Sequence, residues 1–226
     1  YYFENGEWVL HRSFLGKELT VTNGGSVYLP NIIELDFDSL RVTNGGNLSI
    51  PTVNRLDRTP SLSADGWGSL MDLSSVTTWG VCDFCFSGTT IRASDSAEID
   101  LNGLTSLPSS SYTSIQASSD ATINLNGLTS LPVGSQVSAA PDYYSNFSYS
   151  GGNIHLESLP QVDGVNFTAQ DSGNIYLNPG SVSLSNSSVQ LEYYPFYNSS
   201  ISVGTLEIAQ GSSLYGYGQI FGNLAN

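Results

Sequence analysis

The chain repeats one phrase, and that repetition constrains its fold more than any other feature of the sequence. Residues 91–108 read IRASDSAEIDLNGLTSLP and residues 115–132 read IQASSDATINLNGLTSLP, with thirteen of the eighteen positions identical. The last eight letters, LNGLTSLP, are the same in both copies. A sequence period of about 20 to 50 residues is typical of solenoids, in which each repeat buries its apolar side against its neighbours. The sequence therefore predicts a stack of similar coils.

Weaker copies of the phrase extend over almost the whole chain. Together with the two best copies, they start at residues 19, 40, 62, 91, 115, 147, 167 and 206. The spacings of 29 and 32 residues fit one coil with a surface insertion each. The spacing of 39 residues fits two coils, one of them weak and centred on Val189–Leu191. We therefore expect about nine coils.

Each copy has the pattern of short strands joined by turns. Apolar residues recur at the first position and 2, 8, 10 and 13 residues later, as at Ile115, Ala117, Ile123, Leu125 and Leu128. Alternation with a period of two predicts strands with one buried face. The polar clumps between them, such as TNGG, SSDA and QDSG, consist of turn residues. The expected fold is all-β, a right-handed parallel β-helix whose coils stack about 4.8 Å apart.

A second solenoid is the alternative. LNGLTSLP also resembles part of a leucine-rich repeat, whose consensus is L-x-x-L-x-L-x-x-N with a regular period. Only the two best copies approach that consensus, so the β-helix is favoured. Residues 19–226 are assigned to the β-solenoid. Residues 1–18 lie outside its register and are expected to form an N-terminal cap or a linking segment.

Several runs resemble a known class of repeat. LTVTNGGSVYLPNI, LRVTNGGNLSIPTV and IQASSDATINLNGLTSL resemble the β-helical tracts of very large secreted or cell-surface bacterial proteins. The closing run LEIAQGSSLYGYGQIFGN is similar to the G-x-G-x-I-x-G-N coils of autotransporter-like passenger stalks. The resemblance covers residues 19–226. It implies a stalk or adhesin shaft that is extracellular or on the cell surface, and it carries no catalytic residue over to this chain.

The charge of the chain argues against several partners. The net charge is −14, and all six Lys and Arg residues lie in the first 92 positions. Such a surface repels phosphate backbones and anionic lipids, so neither nucleic acid nor a membrane surface is an expected partner. No apolar run approaches the roughly 18 residues that span a bilayer, so no membrane insertion is expected. The chain begins at Tyr1, as a processed or excised segment would.

Cys82 and Cys85 form a C-x-x-C pair inside the 29-residue spacing. A zinc site would need two more ligands, and His11 and His155 are distant in sequence. A redox pair would need a helix N-terminus, which this context does not predict. A small loop-closing disulfide is favoured for an exported protein, with free thiols as the alternative. No metal site and no cofactor are expected.

The sequence also supplies candidate residues for glycosylation and for binding. The Asn-x-Ser/Thr motif occurs at Asn47, Asn146, Asn166, Asn186 and Asn198. Two aromatic clusters supply Tyr143, Tyr144, Tyr149, Tyr193, Tyr194 and Tyr197 as candidate contacts with glycans or proteins. In a chain this rich in Asn and Ser, chance matches to the motif are expected. The alternative for the tyrosines is that they pack loops against the rod, which is the role favoured for Phe147 and Phe196.

The β-helix fold also occurs in polysaccharide lyases and galacturonases, so the sequence is also compared with the requirements of a catalytic site. The candidate acids are Asp36 with Asp38, or Glu98, Asp100 and Asp120. A glycosidase needs two carboxyl groups about 5–9.5 Å apart. However, Asp100 aligns with Asn124 in the next repeat, and no Arg follows Arg92 to act as a lyase base. None of the galacturonase signatures N-T-D, G-H-G and R-I-K is present, so we expect no enzymatic activity.

The leading functional hypothesis is a non-catalytic stalk or extracellular fibre subunit. Its partners would be further copies of itself, stacked end to end, or flanking domains of a longer chain. Head-to-tail contacts that do not close into a ring produce filaments, and residues 1–18 and 206–226 are expected to form the contact. A carbohydrate-binding adhesin module is the second hypothesis, with glycans as partners. A polysaccharide lyase or hydrolase is the third.

Overall fold

The computed structural model describes residues 18–57, 59, 61–80, 88–108, 112–141, 150–192 and 199–225, and the backbone of residues 2–4 and 7–9. The strands in this part of the chain are β1 (Tyr2–Glu4), β2 (Glu7–Val9), β3 (Glu18–Val21), β4 (Ser26–Tyr28), β5 (Glu34–Asp36), β6 (Ser39–Thr43), β7 (Asn47–Ser49), β8 (Arg55–Asp57), β9 (Ser61–Asp65), β10 (Leu70–Asp72), β11 (Thr78–Trp79), β12 (Thr89–Ser94), β13 (Glu98–Asp100), β14 (Thr113–Ala117), β15 (Thr122–Asn124), β16 (Gln136–Ala139), β17 (Asn153–Leu156), β18 (Gln161–Asp163), β19 (Asn166–Gln170), β20 (Asn174–Leu177), β21 (Ser181–Ser185), β22 (Ser188–Glu192), β23 (Ser200–Ile208), β24 (Ser213–Gly216) and β25 (Gln219–Ala225). No helix occurs among these described residues.

The strands from β3 onward wind into a parallel β-solenoid of about eight turns, which confirms the predicted fold class and comes close to the predicted nine coils. Face 1 contains β3, β6, β9, β12, β14, β16, β19, β22 and β24. Face 2 contains β4, β7, β10, β13, β15, β17, β20 and the first halves of β23 and β25. Face 3 contains β5, β8 and β11, then β18, β21 and the second halves of β23 and β25. A leucine-rich repeat would carry a helix or 3₁₀ segment in each repeat instead.

The core consists of apolar columns that run through successive coils. On face 1 the column contains Leu19, Leu40, Leu62, Ile91, Ile115, Val137, Phe167, Val189 and Leu214. On face 2 it contains Val27, Leu48, Met71, Ile99, Ile123, Ile154, Ile175, Ile201 and Ile220. Away from the ends these side chains are buried. Each buried Leu, Ile or Val contributes about 1.5–3 kcal/mol, so the columns are the main source of stability.

The polar clumps form the turns between face 1 and face 2, as expected. In five coils two consecutive residues have positive φ, namely Asn23–Gly24, Asn44–Gly45, Asp95–Ser96, Ser119–Asp120 and Asp171–Ser172. Two successive residues with positive φ define a type I′ turn, which Asn, Asp and Gly tolerate best. The residue after each pair donates its N–H to the carbonyl three positions earlier, as from Gly25 to Thr22. The chain therefore folds back tightly enough for two strands to belong to one coil.

The repeated phrase LNGLTSLP forms the corner between face 2 and face 3. Leu101 and Leu104 are fully buried, while the side-chain oxygen of Asn102 accepts the backbone N–H of Asn126 in the next coil at 3.2 Å. A Cβ at Gly127 would lie 2.3 Å from the carbonyl oxygen of Asn102, so only glycine fits this close approach. The asparagine and the glycine of the phrase are therefore both needed for stacking one coil on the next.

A threonine ladder completes the same corner. The hydroxyl of Thr105 donates to the carbonyl of Thr77 at 3.2 Å, and the hydroxyl of Thr129 donates to the carbonyl of Thr105 at 3.1 Å. The backbone N–H groups of Thr105 and Thr129 donate to the same carbonyls. Each coil is thus joined to its predecessor by two donors at one position. These coil-to-coil contacts explain why the two best repeats share the sequence LNGLTSLP.

Two expected coil positions are wrong. The coil that was expected to start at Phe147 has Val137 in the first position of its repeat. Val137 pairs with Ile115 and Phe167 in the face 1 column. The start at Leu206 lies on face 3, where Leu206 pairs with Val182, and Leu214 continues the column on face 1. The weak coil at Val189–Leu191 is confirmed. In the sequence, residues 142–149 therefore fall between β16 on face 1 and β17 on face 2.

The segment before the solenoid contains a hairpin. Strands β1 and β2 pair antiparallel, with Tyr2 opposite Val9 and Glu4 opposite Glu7. This two-stranded sheet is separate from the parallel sheets of the solenoid. The division of the chain into a cap at residues 1–18 and a solenoid at 19–226 stays a prediction.

Candidate functional site

The C-terminal end of the solenoid exposes the same columns that are buried elsewhere. Strands β24 and β25 are the last strands of their faces, and within the described part of the chain each pairs on one side only. Leu214 and Ile220 are half-buried there, and Leu224 is 59% exposed. No charged residue occurs between residues 213 and 225. The end therefore combines unpaired strand edges with an uncharged, partly apolar surface.

The N-terminal end is open in part. Among the described residues, β3 and β4 also pair on one side only, with β6 and β7 respectively. Leu19 and Val27 are half-buried, whereas Leu35 on β5 is fully buried. The open part of this end is therefore the edge of faces 1 and 2. Unpaired edges of parallel strands are templates for pairing with another chain.

An outward column on face 2 joins the two ends. It contains Tyr28, Ser49, Asp72, Asp100, Asn124, His155, Tyr176, Ser202 and Phe221. Within it, the rings of His155 and Tyr176 stack with centroids 4.3 Å apart and planes 7° apart. The His155 ring also lies 3.1 Å from the carboxylate of Glu157. Neighbouring coils in this column therefore bring aromatic rings into face-to-face contact.

Two of the candidate catalytic acids, Glu98 and Asp100, lie on β13 of face 2. Asp100 pairs in register with Asn124, as the repeat alignment indicates, and its carboxylate accepts the backbone N–H of Asn102 at 2.9 Å. The carboxylate of Glu98 accepts a hydrogen bond from the Asn124 amide at 2.9 Å. Asp38 and Asp120 are exposed, and the Asp36 side chain lies outside the described residues. Asp100 thus serves a turn, and Glu98 serves a coil-to-coil hydrogen bond.

A polar groove of about 480 Å³ opens on face 3. Its walls include hydroxyl, amide and carboxylate groups from Thr129, Ser130, Gln161, Asp163, Ser183 and Ser185. Leu131, Pro160 and Val162 add apolar surface. The Asn186 amide, at positive φ on the rim, donates to the Asp163 carboxylate at 2.8 Å. A groove of this size and lining can hold a small polar ligand.

The groove exists because the corner ladder stops at Pro160. The turn bond from Leu159 to Leu156 matches that from Leu128 to Leu125, which places Pro160 at the position of Thr129. Proline has no N–H, so it cannot continue the bonds that join Thr77, Thr105 and Thr129. In the described part of face 3, Ser130 bridges to Ser106, and β18 pairs with β21 alone. The two neighbouring coils therefore separate at this point.

Three of the five candidate glycosylation residues are described. Asn47 and Asn166 lie half-buried on strands β7 and β19, and the Asn166 side-chain oxygen accepts the Ser188 hydroxyl. Asn186 is exposed in a turn. Geometry therefore makes Asn186 the most accessible of these three, although its amide is engaged by Asp163.

The other sequence candidates lie outside the described residues. These are Cys82, Cys85, Asn146, Asn198, Tyr143, Tyr144, Tyr149, Tyr193, Tyr194 and Tyr197. In the sequence, residues 142–149 and 193–198 each fall between a strand of face 1 and the next strand of face 2, and residues 81–87 follow β11. Their roles as a disulfide, as glycosylation sites and as contacts stay predictions.

Within the described ranges, no cluster of three or more His, Cys, Asp or Glu side chains is arranged to hold a metal ion. Those ranges also contain no helix of the length and apolarity needed to cross a bilayer.

Comparisons with protein-family models, with curated proteins and with solved structures gave no match to this chain. The class that the structure defines is the β-solenoid fold. The similarity to secreted and autotransporter-like proteins stays a prediction from the sequence.

The groove and the outward aromatic column were not predicted from the sequence. The groove had a sequence signal, because SLP at residues 158–160 repeats SLP at 130–132 at a different place in its coil. The column had none, because Tyr28, His155, Tyr176 and Phe221 belong to different coils and align only through strand register.

Proposed function

We propose that this protein is a non-catalytic structural module of an exported protein, and that its rods assemble end to end into a stalk or an extracellular fibre. The main support is that, as far as the structure describes the chain, faces 1 and 2 finish at both ends in strands paired on one side only, with partly exposed apolar columns. Burial of these columns and pairing of these edges both favour contact with another coil.

The middle of the rod supports a mechanical role. Every coil from Leu40 to Val189 places its column residue in a buried position on face 1. Backbone ladders on faces 1 and 2 join neighbouring coils from β3 and β4 to β24 and β25, and corner side chains add to them in the coils before Pro160. A rod held this way is stiff along its axis, because any extension must break hydrogen bonds in several sheets at once.

The assembly can be tested by placing a charge at the C-terminal end. Ile220→Lys puts an ammonium group on the exposed end of the face 2 column, and sedimentation velocity over a concentration series should show rods that no longer associate. Thr122→Lys is the matched control, since Thr122 lies on the same face in the middle of the rod. Equal association of both variants and the unmodified protein would contradict the proposal. Deleting residues 1–18 should also abolish assembly if that segment belongs to the contact.

Carbohydrate binding is the second candidate function, and the face 3 groove favours it. Its hydroxyl, amide and carboxylate groups are suited to the hydroxyls of a neutral sugar, and Leu131, Pro160 and Val162 provide apolar surface for a sugar ring. The Asp163 carboxylate and the absence of Lys and Arg after residue 92 disfavour acidic sugars.

A glycan array followed by calorimetry tests this candidate. Asp163→Asn should weaken binding of a neutral oligosaccharide about tenfold, because a charge-assisted hydrogen bond is lost. Glu207→Gln is the control, since Glu207 is exposed on the same face beyond the groove lining. A blank array, or equal binding by both variants, would remove the groove as a sugar site.

A further inference from the structure

We propose that the partner at the C-terminal end is a second copy of this chain in one defined register, with Phe221 of one rod stacked on Tyr28 of the next. This inference rests on the proposed end-to-end assembly and adds the atoms that form the junction. It concerns faces 1 and 2, where both ends present open strand edges.

Strand register specifies the junction. The chain of parallel pairings through face 2 makes Gln219, Ile220 and Phe221 equivalent to Ser26, Val27 and Tyr28. A second copy that continues the stack as the next coil would therefore place its Val27 over Ile220 of the first rod and its Tyr28 over Phe221. On face 1 the same step places Leu19 over Leu214. Both apolar columns then continue across the junction without a gap.

The exposed aromatic rings indicate the partner. Phe221 is 57% exposed and Tyr28 is 64% exposed, and they lie at opposite ends of one outward column. The same column already holds one aromatic pair between adjacent coils, the stacked rings of His155 and Tyr176. The junction would repeat that contact with a second pair of rings. Stacking of this kind adds stability beyond the burial of surface.

Charge at the junction is compatible with contact between identical chains. The last coil carries no charged residue from position 213 to 225, so the acidic Glu18 and its neighbours meet no like charge there. In the register above, Glu18 lies over Ser213 and Ser26 lies over Gln219. A copy slipped by one residue would instead turn its own Val27 and Leu19 away from the columns that end at Ile220 and Leu214, because successive side chains on a strand point to opposite sides.

Disulfide trapping between two different variants tests the register. Neighbouring strands lie about 4.8 Å apart, within the Cα separation that a disulfide spans. An equimolar mixture of Tyr28→Cys and Phe221→Cys proteins should form covalent dimers on mild oxidation, with the peptides of positions 28 and 221 joined. Tyr28→Cys mixed with Tyr215→Cys is the control, since Tyr215 lies on face 1. The unmodified protein oxidised alone measures the background from Cys82 and Cys85.

A double-mutant cycle provides the second measurement. Phe221→Ser and Tyr28→Ser should each raise the dissociation constant of the junction about tenfold, and the double variant should add little. Both residues are exposed in the single rod, so the melting temperature should not change. Rods that assemble without the 28–221 cross-link, or with additive effects in the cycle, would overturn this register while the proposed assembly stands. Rods that stay single at every concentration would overturn both.

Discussion

The middle coils and the last coil carry the same pattern in opposite environments. Ile123 and Ile220 occupy the same column of face 2, yet Ile123 is fully buried and Ile220 is only half-buried. The strands, the alternation and the column are equivalent, and the difference is that among the described residues Ile220 has a neighbour in the column on one side only. Stability in a solenoid comes from each coil's neighbours, so the last coil is where association with another molecule gains most.

The largest effect should come from placing the same charge at both positions. Ile123→Lys buries an unpaired ammonium group in the middle of the column and should cost more than about 4 kcal/mol of unfolding free energy. Ile220→Lys should cost less than about 1 kcal/mol, because its side chain can reach water. Urea denaturation followed by circular dichroism measures both. Similar losses would show that the last coil is as enclosed as the middle.

Replacing one glycine of the last coil should lower the stability of that coil alone. Gly216 has a φ of 103°, and a Cβ there would lie 1.8 Å from the carbonyl oxygen of Leu191. Gly216→Ala should therefore detach β24 and β25 at a local cost of about 3 kcal/mol. Hydrogen exchange should rise at residues 213–225 and stay unchanged in the middle coils.

Gly134→Ala is the control for this variant. Gly134 also has positive φ, at 86°, but has no heavy atom within 4 Å of its Cβ position. Only the backbone strain remains there, so the cost should be near 1 kcal/mol. If both alanines behave alike, close contact with the preceding coil does not hold the last coil in place.

The corner ladder of the middle coils should contribute less than the columns. Thr105→Val removes the hydroxyl that donates to the Thr77 carbonyl and should cost about 1 kcal/mol. Thr90→Val changes an outward threonine of face 1 that forms no side-chain hydrogen bond among the described residues, and it should stay within about 0.5 kcal/mol. Thermal unfolding measures the melting temperature of both variants. Equal melting temperatures would show that the threonine ladder does not stabilise the stack of coils.

Salt should have the smallest effect, and only on assembly. Rods with a net charge of −14 repel one another, and that repulsion is screened as the Debye length shortens. Raising NaCl from about 20 to about 200 mM should increase association about threefold while the unfolding free energy of the single rod changes little. Weaker association at high salt would indicate that charge pairs, rather than apolar columns, hold the junction.

Much of the fold could be predicted because its local signals are strong. Alternation at Ile115 and Ala117 and the turn residues of SSDA each specify their structure within a few residues. The coil at Val137 was missed because QVSA carries only one large apolar residue and the next strand follows after a long insertion. The placement of Leu206 failed because β23 passes from face 2 to face 3 with a register shift.

The candidate site could be predicted only in outline. Assembly through the ends follows from any open solenoid, so the sequence indicated it. The pairing of Phe221 with Tyr28 depends on register summed over every coil between them, which no local pattern contains. The groove depends on Pro160 taking the place of a ladder threonine, and that equivalence is visible only once the turn bonds of Leu128 and Leu159 are aligned.

Electron microscopy of the purified protein over a range of concentrations tests the central claim most directly. Nine strands on face 1, spaced about 4.8 Å apart, give a rod roughly 40 Å long. End-to-end assembly predicts threads at high concentration with an axial repeat near that length, and single rods when Ile220→Lys is imaged under the same conditions. Single short rods of the unmodified protein at every concentration would contradict it.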